Sequence, residues 1–242
     1  MKLYVVGLGP GDQGDMTVRA LGALAQSELI VGYEGYINLI RDRFPGKEFF
    51  STPMRQEVER CRKALEEAAG GKTVSMVCSG DPGIYGMAGL IYQLAMDYPP
   101  VAIQVIPGIT AACSGAALLG APLANDFAVI SLSDQLTPWE TIERRLRSAA
   151  AGDFCLALYN PASHSRPDTL RRACEILLET YPPNTPAGVV QNVGRVGESY
   201  LVLSLEQLRE LPADMLTTVF VGNSTTRTVA GRLVTPRGYR QA

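Results

Sequence analysis

The chain has one histidine, His164, and one tryptophan, Trp139, among its 242 residues. A single imidazole excludes a metal centre built on several histidines, and no metal site is expected. The five cysteines, Cys61, Cys78, Cys113, Cys155 and Cys174, stand far apart, so none has the spacing of a zinc ligand set or a dithiol redox motif. Reduced, mostly buried thiols in a cytoplasmic protein are the expectation. Excess charge is also missing. Lys and Arg number 22 against 24 Asp and Glu, a net charge of -2, which argues against nucleic acid as a partner. Residues 105–124 nearly lack charge, but Pro107, Gly108 and Pro122 interrupt them, as suits a close-packed strand and helix rather than a membrane span. The amino terminus enters a strand directly, without the basic region and apolar stretch of a signal peptide.

What is present is a hydrophobic fraction of 46%, enough for one large core or two modest ones. Short apolar runs at residues 2–6, 29–32, 74–78 and 101–106 alternate with stretches at helical spacing, the pattern of α/β layers. The most informative stretch is 74–94, VSMVCSGDPGIYGMAGLIYQL, which reads as a buried strand, a tight turn and a helix. Ligands of open α/β sheets lie beyond the carboxyl ends of the strands. Asp81 sits there, between Gly80 and Gly83, with Pro82 stiffening the turn. It either holds a polar ligand or caps the following helix. Residues 7–12, GLGPGD, form a second loop of this kind. They approach a dinucleotide fingerprint, but the third glycine comes one residue early and Pro10 interrupts. With Glu34 as a ribose-binding acid, a nicotinamide-dependent oxidoreductase is a rival reading. Residues 107–112, PGITAA, open a helix whose free backbone donors and Thr110 hydroxyl could receive a ligand, although small residues also pack helices tightly. Thr52 and Pro53 read as a helix start running to about residue 69, with Arg55, Glu57, Glu59, Arg60, Arg62 and Lys63 as its solvated face.

Gly120, Ala121 and Pro122 mark a crossing, so the expected domains are residues 1–119 and 120–242. The second opens with a strand over 127–132. Thr137 and Glu140 have the spacing of a capping box with Pro138 at the first helical position. Ser133 and Asp134 have no such task and face a cleft at a strand end. A strand over 154–158 leads into a polar loop with Tyr159, Asn160, His164 and Arg166, then a helix over 168–179. Residues 186–192 and 199–204 read as a strand pair joined by a turn carrying Arg195. A short helix and a strand over 217–221 follow.

Three loops, GLGPGD at 7–12, SGDPGIYG at 79–86 and PGITA at 107–111, resemble those of the tetrapyrrole methylase family. The resemblance covers nearly the whole chain. Within the family, GYEGYINLI at 32–40, FAVISLSDQLTPWETIERRL at 127–146 and LALYNPASHSR at 156–166 resemble the precorrin-3B methylating branch, which acts at carbon 17. The resemblance implies two α/β domains, each a mixed sheet flanked by helices, with S-adenosylmethionine in the cleft between them and a homodimer as the assembly. Carried over by position, Pro10, Gly80, Asp81, Ile84, Thr110 and Ala111 contact the cofactor, joined by Tyr159, Asn160, Ala187, Gly188 and Thr217. The branch couples methylation to ring contraction, so a general acid or base is expected among Ser133, Asp134 and His164. The substrate, precorrin-3B or cobalt-factor III, carries acetate and propionate groups, for which Ser131, Arg55, Arg166, Arg195 and Arg227 are the candidate contacts. Rival readings are a sibling methylase acting on a different carbon and a non-catalytic tetrapyrrole carrier.

Overall fold

The apolar runs of the first half become parallel strands, because residues on both faces of each strand are covered. Leu3 and Val5 point to one face, Tyr4 and Val6 to the other, which is why the run is continuously apolar instead of alternating. The computed structural model describes residues 1–239. The chain divides into two units, Met1–Thr110 and one beginning at Ala111.

In the first unit β1 (Lys2–Gly7), α1 (Val18–Gln26), β2 (Leu29–Tyr33), α2 (Glu34–Ile40), β3 (Glu48–Thr52), α3 (Glu57–Ala69), β4 (Thr73–Cys78), α4 (Ala88–Leu94) and β5 (Ala102–Ile106) follow in order. The sheet runs β3-β2-β4-β1-β5 with every pairing parallel. The α1 and α2 side chains pack on one face, those of α3 and α4 on the other. The connection after β1 therefore leaves by the face that α1 covers, and the connection after its neighbour β4 by the opposite face, covered by α4. Neighbouring strands whose connections leave to opposite faces open a crevice at their carboxyl ends, where α/β proteins bind ligands.

In the second unit α5 (Ala111–Leu119), β6 (Gly120–Ala121), β7 (Phe127–Ser131), α6 (Trp139–Ala151), β8 (Cys155–Tyr159), α7 (Thr169–Leu178), β9 (Pro186–Gln191), β10 (Ser199–Ser204), α8 (Leu205–Arg209), β11 (Thr217–Val221), β12 (Arg227–Val229) and β13 (Arg232–Val234) follow. The main sheet, β10-β9-β11-β8-β7, is mixed: β7 and β8 are parallel and the other pairs antiparallel. A small sheet, β12-β13-β6, completes the unit. Leu146, Cys174, Leu177, Leu205 and Leu208 cover one face of the main sheet. Ala112 and Leu119 of α5 cover the other, with Ala157, Val190 and Phe220. A Cβ added at Gly115 would lie 2.9 Å from Phe220 Cζ, so the small residues of α5 let it ride close to the sheet. This packing assigns α5 to the second unit and places the division at Thr110/Ala111 instead of 119/120.

Three local expectations are corrected. Thr52 ends β3 and caps no helix; α3 starts at Glu57. Arg60 is not a solvated side chain but 5% exposed. Its Nη1 donates to Thr52 Oγ1 at 2.7 Å and to the Pro53 carbonyl at 2.8 Å, and its Nη2 pairs with Glu57 at 3.0 Å. The polar groups of the β3–α3 turn needed a donor, and the arginine one helical turn into α3 reaches back to supply it. The Thr137/Glu140 capping box does not form, because α6 begins at Trp139 after Pro138 without a side-chain cap. A capping box forms instead at Ser204 and Gln207 of α8.

Burial pushes the thiols of Cys61 and Cys174 up to about 12 and that of Cys78 up to about 11. An unfolded cysteine titrates near ~8.5, so the folded state holds these protons longer than the unfolded state does. Their contribution to stability is complete below the unfolded value and is lost as pH rises toward 11 to 12. We expect the urea midpoint to fall above about pH 9, and the fall to be shallower in Cys61→Ala. An equally steep fall in that variant would refute the assignment.

Candidate functional site

Three glycines bring the loops of the first unit into backbone contact. A Cβ added at Gly108 would lie 2.1 Å from the Gly80 carbonyl oxygen and 2.8 Å from Gly7 C, and one at Gly7 would lie 2.5 Å from the Gly80 oxygen. No side chain larger than hydrogen fits at either position. The first two loops are also hydrogen-bonded. Leu8 N donates to the Cys78 carbonyl at 2.8 Å, Gly9 N to the Gly80 carbonyl at 3.2 Å, and Gly80 N to the Gly9 carbonyl at 2.7 Å.

Asp81 joins the third loop to this pair. Its Oδ1 accepts from Gly83 N at 2.8 Å and its Oδ2 from Gly108 N at 3.0 Å. Of the two roles open to Asp81 in the sequence, helix capping is ruled out, since α4 starts only at Ala88 and Met87 precedes it. The carboxylate organises the loops and retains lone pairs for a further donor. Pro10 and Thr110 are buried beside the loops. Ile84 is 38% exposed and Tyr85, which sequence reasoning passed over, 54%. Tyr85 has a φ of 54°, a left-handed conformation that an L-residue rarely adopts. That strain turns an aromatic side chain outward between Ile84 and Gly86, and the sequence shows no glycine or asparagine to announce it.

The first loop does not open a helix as a dinucleotide fingerprint does. A single 3-10 turn, Gln13–Asp15, intervenes before Thr17 caps α1, and Glu34 is an exposed first-turn residue of α2. The nicotinamide reading falls on the first of these, since the loop lacks the helix start that would receive a pyrophosphate.

The second-unit candidates separate into three groups. Ala111 opens α5, and Tyr159 Oη accepts from Ala112 N at 2.7 Å, satisfying a donor of the first helical turn. Ala187 is fully buried, and a Cβ at Gly188 would meet Leu119 at 2.7 Å, so both belong to the sheet core. Thr217 is buried too, its hydroxyl donating to Asp214 Oδ1 at 2.8 Å. The side chains of Ala187 and Thr217 thus offer no open surface to a ligand.

A polar cluster gathers at the carboxyl ends of β7 and β8. Asn160 adopts a φ of 54° and its Nδ2 donates to Ser131 Oγ at 2.9 Å. Ser133 N donates to the same oxygen at 3.3 Å. Arg166 Nη1 donates to Ser133 Oγ at 3.1 Å and to Asp134 Oδ1 at 3.0 Å. Arg166 Nε is buried with no partner among the described residues, an arrangement that costs about 1–3 kcal/mol. His164 is exposed, two positions from Arg166, and shares no hydrogen bond with the cluster. Arg195 lies in the turn between β9 and β10, and Arg227 donates to the carbonyls of Ser224 and Thr226. Arg55, with a φ of 71°, lines a hollow of about 640 Å³ with Arg62 and Lys63; it does not join the loop cradle.

The sequence profile of the Tetrapyrrole (Corrin/Porphyrin) Methylases matches residues 2–209. The chain belongs to this family. This methylase is 44% identical to a probable cobalt-factor III C(17)-methyltransferase of Salmonella typhimurium, across 98% of this chain and 99% of that one. It is 43% identical to the cobalt-factor III methyltransferase of Priestia megaterium across 99% of its own length, but spans only 45% of that relative. Among solved structures it resembles the methyltransferase CobJ with a TM-score of 0.90 at 40% identity, covering 97% of this chain and 99% of that one.

Two substitutions test the cradle. Asp81→Ala leaves the Gly83 and Gly108 N–H groups without their acceptor and should destabilise the protein by about 1–3 kcal/mol. Gly108→Ala drives a methyl into the Gly80 carbonyl and should cost at least as much, about 1–3 kcal/mol or more. Urea unfolding measures both; a neutral Gly108→Ala would show that the loops are not in contact.

Proposed function

We propose that the protein is an S-adenosylmethionine-dependent C-methyltransferase acting on carbon 17 of a corrin precursor, cobalt-factor III or precorrin-3B, with ring contraction, in cobalamin biosynthesis. The observation that carries the reading is the cradle formed by Gly7, Gly80 and Gly108 at the carboxyl ends of the adjacent strands β1, β4 and β5. It fits the cofactor on two grounds. Glycine backbones without Cβ atoms allow close approach to a ligand, and Asp81 places a carboxylate where a ligand cationic at sulfur and at its amino group is stabilised. When bound, S-adenosylmethionine supplies a methyl group that is already electrophilic.

The tasks left to this chain are to orient the partners and to exclude water. Asp81 holds the third loop in place, Pro10 and Thr110 back the cradle, and Ile84 and Tyr85 offer apolar cover beside it. The names of the Salmonella and Priestia relatives support cobalt-factor III as the substrate, and that of the Salmonella relative supports carbon 17. The same reading includes a homodimer, supported by exposed Tyr200 and Leu201 on the edge strand β10, and a reducing cytoplasm, supported by five unpaired cysteines.

The test is mass spectrometry after incubation with methyl-labelled S-adenosylmethionine and a trimethylated corrin precursor, offered cobalt-loaded and, separately, metal-free and hydroxylated. One labelled methyl at carbon 17 in either form is the expected result. Label at another carbon would favour a sibling methylase, and macrocycle binding without turnover a carrier.

A further inference from the structure

A guanidinium has two hydrogen-bonding edges, and in Arg166 they are unequally used. Nη1 is committed to Ser133 Oγ and Asp134 Oδ1. On the opposite edge, formed by Nε and Nη2, Nε is buried with no partner among the described residues, and the hydrogen bonds that hold the guanidinium run from Nη1. The side chain is 18% exposed, against 40% for Asp134. The Asn160–Ser131–Ser133 chain of hydrogen bonds fixes the loop that presents Ser133 to it. An arginine held rigidly from one side, with a parallel pair of donors on the other, is the arrangement that receives a carboxylate in bidentate fashion.

We propose that the Nε/Nη2 edge of Arg166 binds a carboxylate on the periphery of the macrocyclic substrate, and that Asp134 and Ser133 are positioning residues that fix the guanidinium for it. The inference rests on the function proposed above. It reassigns Asp134, expected from its place at a strand end to be an acid or base. Its carboxylate instead orients the guanidinium through Nη1 without blocking the edge a substrate needs.

The experiment measures kcat and KM for the macrocycle, together with cofactor affinity by calorimetry, in wild type, Arg166→Gln, Arg166→Lys and Asp134→Asn. The probes are the corrin precursor that wild type methylates and its carboxylate methyl ester. Arg166→Gln should raise the KM for the free acid about tenfold to a hundredfold, the range of a charged hydrogen-bonded pair. Cofactor affinity should not change. Arg166→Lys should recover part of the loss, since it keeps the charge but not the fork. Asp134→Asn should raise KM several-fold with kcat little changed. With the methyl ester, wild type and Arg166→Gln should have the same KM. A collapse of kcat at constant KM in Asp134→Asn would make Asp134 an acid or base and overturn its positioning role. An unchanged KM in Arg166→Gln, with wild type active, would remove the anchor and leave the proposed function standing. Should wild type methylate neither form of the precursor, the function falls and the anchor with it. If Arg166→Gln does not fold, Ser133→Ala with Arg166→Lys carries the test: a KM for the free acid equal to that of wild type in both would likewise refute the anchor.

Discussion

The first unit depends on a backbone-to-backbone approach that only hydrogen side chains permit. Gly7, Gly80 and Gly108 come from the ends of three separate strands, yet their main chains touch. Peptide groups brought so close must find partners, because an unpaired donor away from water is expensive. The Gly9–Gly80 hydrogen bonds satisfy the first pair of loops, and the two oxygens of Asp81 satisfy Gly83 and Gly108. A single carboxylate thereby sets the relation of the second and third loops. A ligand in this cradle meets a surface whose shape is fixed by covalent geometry and short hydrogen bonds, so little of its binding energy is spent on ordering the protein.

In the second unit the same logic appears with different residues. Gly115 lets α5 settle onto Phe220, Tyr159 Oη takes up a donor of its first turn, and Asn160 in a left-handed conformation reaches Ser131. Asp134, like Asp81, is engaged by donors of its own unit. The two acids that stand out by position in the sequence are therefore both occupied with geometry. That suits a methyl transfer in which the electrophile needs alignment more than it needs a side-chain nucleophile.

The sequence alone was enough for the α/β class, the strands at the ends of which the loops hang, and the loops themselves. Each of these is a local property. A continuous apolar run means a strand covered on both faces, and a glycine-rich turn after it means a backbone that must bend or approach closely. The family also followed from short motifs, since the loops retain their residues in order. Tertiary structure decided everything that depends on which segments meet. It buried Arg60 against the turn before its own helix, transferred α5 to the second unit through Phe220, and placed Ala187 and Gly188 in a core. It also paired Asp134 with Arg166 across 32 positions of sequence. Side-chain type and periodicity describe a residue's own backbone and which of its faces is apolar. They do not specify the partner that will satisfy a donor or fill a space, because that partner is brought there by the packing of the sheet and helices as a whole.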